Sequence, residues 1–161
     1  MKQTTLSFSD NEILKEIYAL TALRSHIKGR KNEIPLLNDD QRPGLVEVIE
    51  GAVCNITAEL LPHICGCSFP ERQLEAITYS TAIDLYRLTV RLPDEFPSDF
   101  TGTLRRAINQ AIVFETLAMV FGDHDNELAL LYEERSRTAL DNVREIINCG
   151  NTPLMRILPH F

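Results

Sequence analysis

At 161 residues, with 44% hydrophobic and 24% charged side chains, the chain has the make-up of a single globular domain with room for a full apolar core. The 16 Lys and Arg against 23 Asp and Glu give a formal net charge of -7, which argues against nucleic-acid binding, because neutralising phosphates takes clustered cations. No apolar run approaches the roughly 18 residues that a bilayer-spanning helix needs, and the opening Met-Lys-Gln-Thr-Thr-Leu-Ser-Phe lacks a signal-peptide core, so the expectation is a soluble, cytoplasmic protein with no membrane partner.

Residues 1–8 are expected to be extended or frayed, a flexible N-terminus. Ser9-Asp-Asn-Glu12 has the spacing of a capping box, in which the hydroxyl and the carboxylate each satisfy an orphan backbone N–H. Ile13, Leu14, Ile17, Leu20, Leu23 and Ile27 then recur at helical spacing up to a stop at Gly29. A second helix opens around Asp39-Asp-Gln-Arg-Pro43, where Pro43 needs no N–H and the acids face the positive end of the helix dipole. Its apolar positions are Leu45, Val46, Ile49, Ala52, Val53, Ile56 and Leu60, and Pro62 ends it. Gly51 in its middle is about 1 kcal/mol less favourable than Ala, which implies the close approach of another backbone.

Residues 62–72 are expected to form a loop. In the next stretch Leu88, Val90 and Leu92 alternate with Arg87, Thr89 and Arg91, the period of a strand. One or two strands lie within residues 76–92, with a helix from position 71 to about 89 as the alternative. After the turn at Pro93-Asp-Glu-Phe-Pro97, Thr101 or Thr103 caps a third helix reaching Phe121. Its apolar residues occupy more than one stripe, so it is expected to be the central, most buried helix. Gly122 stops it, and a fourth helix runs over 126–148. So short a connection makes the last two helices an antiparallel hairpin. Residues 151–161 form an apolar tail carrying Leu154, Met155, Ile157, Leu158 and Phe161. The expected fold is therefore a single, mainly α domain, four-helix bundle-like, with a minor β-strand or hairpin.

Few residues suggest chemistry. His63, Cys65 and Cys67 place three potential ligands close together, but Cys-x-Cys is tighter than common zinc knuckles and a fourth ligand is missing nearby. Cys54, Cys65, Cys67 and Cys149 are read as free thiols of a reducing compartment. Asp123, His124, Asp125 and Glu127 crowd one inter-helix turn, where Asp123 or Asp125 is expected to cap the fourth helix. Glu115 interrupts the apolar third helix. It is read as partly exposed at an edge, with pairing to Arg105 or Arg106 of a neighbouring copy, or a raised catalytic pKa, as the other readings. A nucleophile elbow, a P-loop and a dinucleotide fingerprint are all absent from the sequence. No catalytic set, metal or cofactor is expected.

Leu37-Asn-Asp-Asp40 is followed by Ile49-x-x-Ala52, Leu-Thr-Val-Arg-Leu-Pro ends the middle segment, and Ala-Met-Val-Phe-Gly ends the third helix. Glu127, Ala129 and Tyr132 come next, then Ala139-Leu-x-x-Val-Arg-Glu-Ile-Ile and Gly150-x-Thr-Pro-Leu. This layout resembles the head–tail connector (head-completion adaptor) proteins of tailed phages and prophages. The resemblance covers about residues 36–155 and implies a non-enzymatic helical subunit that forms a ring between portal and tail, cytoplasmic in a bacterial host and then part of the virion. In such a ring one patch fits a different patch on the next copy. Leu154, Met155, Ile157, Leu158 and Phe161 are the candidate interface, for self-association or for the portal, with closure of the chain's own bundle as the alternative. Two other classes of function stand beside this one: a bacterial helical module binding a protein partner in a groove between helices, and a metal protein centred on His63, Cys65 and Cys67.

Overall fold

The computed structural model describes residues 1–27, 37, 39–69 and 85–148. In chain order the described elements are strand β1 (Lys2–Ser9), helix α1 (Asp10–Ile27), helix α2 (Arg42–Glu59), strand β2 (Ile64–Ser68), strand β3 (Leu85–Leu92), helix α3 (Thr101–Phe121) and helix α4 (Asn126–Asn148). The fold is mainly α, four helices in a bundle-like arrangement with a small three-stranded antiparallel sheet.

Helix α3 is the centre of the molecule. Leu104, Ala107, Ile108, Ala111, Ile112, Val113, Leu117 and Phe121 are all buried, and α4, α2, α1 and β1 all pack against it. Apolar residues on more than one stripe require cover on more than one side, as the sequence pattern implied. Helix α4 answers with one strongly amphipathic face, on which Leu128, Tyr132, Ala139, Leu140, Val143, Ile146 and Ile147 are buried. Tyr132 stacks on Phe121 with ring centroids 5.9 Å apart, locking the hairpin near its turn. That turn also supplies the cap, since the Leu128 amide donates to Asp125 Oδ1 at 3.0 Å.

The N-terminal residues are not frayed. They form an edge strand of the sheet, whose order is β1-β3-β2, with Leu6 opposite Leu88 and Phe8 opposite Tyr86. Leu6, Phe8, Tyr86, Leu88, Val90 and Leu92 all turn into the core, while Thr5 and Thr89 pair their hydroxyls on the opposite face at 3.1 Å. Two inward apolar residues and a long partner strand are enough to hold a segment whose own sequence carries little strand signal.

The loop expected at 62–72 contains β2. Its alternation is hidden because the register with β3 shifts between Ile64 and Gly66, the mark of a bulge at Cys65. The strand assignment holds for Leu85–Leu92 and excludes the alternative helix there. Residues 70–84 lie outside the described residues, as do Gly29, Cys149 and the tail residues Leu154, Met155, Ile157, Leu158 and Phe161.

Polar contacts join β1, α1 and α3 at one edge of this core. Ser9 Oγ accepts from the Glu12 amide at 3.2 Å, which is half of the expected capping box. The other half is replaced: the Glu12 carboxylate takes a bidentate ion pair with Arg105, a stronger partner than a neutral amide. Arg105 Nε also donates to the Ser7 carbonyl at 2.9 Å, and its guanidinium lies 5.5 Å from the centroid of the Phe8 ring. One turn along, Asn109 Nδ2 donates to Glu16 Oε1 at 3.0 Å.

Two further details differ from the sequence expectation. Helix α3 has no threonine side-chain cap, because a 3₁₀ turn (Ser98–Phe100) runs straight into it. At Gly51 the close neighbour is a side chain rather than a backbone: a Cβ there would meet Met119 Cε at 3.1 Å.

Phe8→Ala is expected to lower stability by about 3–5 kcal/mol, the range for emptying a buried aromatic site, as read from urea unfolding. A second outcome concerns pH. Burial, reinforced by the Glu12 carboxylate, raises the Glu16 pKa above its ordinary value, against the lowering effects of Asn109, Arg105 and Arg106. A carboxyl raised in the folded state contributes stability that is complete below the ordinary glutamate pKa and is lost as pH climbs through the raised value. Glu16→Gln removes that loss. Its amide also offers a donor to Asn109 Oδ1, a buried atom with no hydrogen-bond partner among the described residues. Thermal midpoints measured across this window are therefore expected to coincide with wild type in acid and to exceed it towards neutrality.

Candidate functional site: a groove between three helices

Helices α2 and α4 both lean on α3 but leave an open groove of about 750 Å³ between them. Its origin is a stripe along α3. Glu115, Ala118, Met119 and Gly122 recur at helical spacing on one side and are polar, small or exposed, so nothing large fills the space above them. Helix α2 contributes Asn55, Ile56, Ala58 and Glu59 to one wall. Helix α4 contributes the other wall from Asn126 to Arg144, including Leu130, Glu133, Arg137 and Asp141.

Glu115 holds the groove's midpoint together. Its Oε1 accepts from Asn55 Nδ2 on α2 at 3.0 Å, and its Oε2 accepts from the buried Ser136 hydroxyl on α4, also at 3.0 Å. The expectation of a partly exposed edge position holds, since the residue is half-buried. Of the two arginines expected as partners from a neighbouring copy, Arg105 or Arg106, the first is engaged by Glu12 of its own chain. At one end of the groove Arg144 reaches Glu59 Oε2 at 3.2 Å and Asp141 Oδ1 at 2.9 Å, tying the end of α2 to α4. Arg137 and Glu133 pair one turn apart on the same wall at 2.5 Å.

Between these polar contacts the groove offers apolar surface to solvent. Met119 is 41% and Leu130 58% exposed. Single exposed apolar side chains are ordinary, but these two line one concavity, Met119 from the α3 floor and Leu130 from the α4 wall. Glu133 and Arg137, on the polar side of α4, form part of the groove wall. The signal that marks the groove was available in the chain as the stripe Glu115, Ala118, Met119, Gly122, which breaks an otherwise apolar helix.

The other candidates for chemistry are spread apart by the fold. Cys65 lies at the bulge of β2, and its thiol donates to the Thr89 carbonyl at 3.4 Å. Cys67 faces α2, with its sulfur 4.0 Å from the Thr57 hydroxyl. Burial pushes the Cys67 thiol up, the Thr57 contact lowers it and Cys54 raises it further, a net bias away from the thiolate that metals and electrophiles require. Among the described residues no group of three His, Cys, Asp or Glu side chains is placed to hold a metal ion. Among those residues, too, no helix is long and apolar enough to cross a membrane.

No protein-family model matches the chain, and no curated protein or solved structure matches it at a significant level.

Glu115→Ala is expected to destabilise by about 1–3 kcal/mol, because the Asn55 amide loses its carboxylate partner and the buried Ser136 hydroxyl keeps only its longer 3.5 Å contact with the Ala111 carbonyl. Ser136→Ala deletes the same Ser136–Glu115 hydrogen bond, so the double variant should lose less stability than the sum of the two single losses. Chemical denaturation of the four proteins in a double-mutant cycle measures that coupling.

Proposed function

We propose that the protein is a non-enzymatic structural subunit of a phage or prophage head–tail connector, packing into a ring between portal and tail. The observation that supports this reading is where the connector-like segments fall. Ile49-x-x-Ala52, Leu-Thr-Val-Arg-Leu-Pro, Ala-Met-Val-Phe-Gly and the Ala139 to Ile147 pattern lie on or at the ends of α2, β3, α3 and α4, which build the core, and the three helices bound the groove. A ring subunit works by presenting two different, complementary surfaces. The groove is a concave surface with apolar and charged parts, and residues 151–161 are an apolar segment on the same chain. The charged groups along the groove are also engaged within the chain, Glu115 by the neutral Asn55 and Ser136, Glu133 by Arg137, and Arg144 by Glu59 and Asp141. Such saturated pairs suit a binding wall better than a proton-transfer centre.

The same groove favours a second reading, a bacterial helical module that binds a segment of a different protein. Stoichiometry separates the two. Native mass spectrometry over a concentration series is expected to show a ring-sized species for the full chain and its loss when residues 151–161 are deleted. A monomer or two-fold dimer unchanged by the deletion would transfer the assignment to the partner-binding module.

A further inference from the structure

We infer that the groove between α2, α3 and α4 is the acceptor site for residues 151–161 of a neighbouring copy. This rests on the connector reading, because a closed ring needs one patch that donates and a different patch that receives.

Length, chemistry and charge each fit this occupant. The groove follows α4 from Asn126 to Arg144, about 27 Å at ~1.5 Å per residue. An extended segment of the size of 151–161 spans up to about 36 Å, enough to occupy that length. The segment carries Leu154, Met155, Ile157, Leu158 and Phe161, matching the exposed Met119 on the floor and Leu130 on the α4 wall. It contains Arg156 and no acidic side chain. The groove lining carries Glu59, Glu115, Glu133 and Asp141 against Arg137 and Arg144, so its carboxylates outnumber its guanidiniums. Pro153 and Pro159 bracket the apolar run and restrict its backbone before docking, which lowers the entropy lost on ordering.

Photo-crosslinking in the full chain tests the assignment. A photoreactive phenylalanine analogue replaces the exposed Leu130, and this protein is mixed with an equal amount of isotopically heavy wild-type chain. After irradiation across a concentration series, peptide mass spectrometry is expected to find the light peptide containing position 130 joined to the heavy 151–161 peptide. Leu158→Asp in the heavy chain should abolish that product. Light-to-light crosslinks alone mean that each tail closes its own groove and overturn the proposal, as does the absence of any crosslink to residues 151–161. The connector reading fails separately: tail exchange between copies without a ring-sized species would leave the groove assignment standing and remove the ring. A ring that forms without residues 151–161 would do the reverse.

Discussion

Helix α3 carries apolar side chains around so much of its circumference that it has no stable existence facing water on any of those sides. Every other element is placed by the need to cover it. Helix α4 is folded back onto one side by the short turn after Gly122, and α2 takes a second side. Helix α1 and β1 close a third, and β1 brings with it a sheet whose inward face extends the same core. Covering elements are one-sided: α4 is apolar on one face and charged on the other, and β3 turns Tyr86, Leu88, Val90 and Leu92 inward with Arg87, Thr89 and Arg91 between them facing outward.

Apolar burial alone leaves the sliding position of each layer poorly specified. Directional polar contacts supply that specification where the apolar faces end. Arg105 near the start of α3 binds β1 and α1 together through Ser7 and Glu12. Glu115 near its middle joins α2 to α4 through Asn55 and Ser136. Arg144 ties the far end of α2 to α4 through Glu59. Each of these links elements that are remote in sequence, and each joins three helices or strands rather than two or holds an end that would otherwise splay.

The groove follows from a side of α3 that is not apolar. Ala118 and Gly122 are too small to fill the space between the helices, and α2 and α4 stand apart above them. Small side chains on the floor and polar pairs on the walls leave a concavity that a protein segment can enter without displacing the core. The feature that defines the proposed interface is therefore a local interruption of the pattern that defines the fold.

The helices and their buried faces were written in the sequence, because helical periodicity, caps and stops act within a few residues. Ser9, Pro43, Gly122 and Asp125 marked helix ends by local chemistry, and the alternation of Leu88, Val90 and Leu92 marked the central strand. The flanking strands were not legible. The Thr5 and Thr89 hydroxyls that meet in the sheet are 84 residues apart, so β1 is a strand only because β3 is beside it. In β2 the bulge at Cys65 erases the alternation that would have announced it. Glu12 satisfied a cap in sequence logic but an arginine in space, since Arg105 arrives from α3 with a full charge. The sequence by itself determined which surfaces must be buried; only the tertiary structure decided which segments bury them together, because strand pairing, ion-pair choice and the gap between α2 and α4 arise from contacts that no single stretch of chain contains.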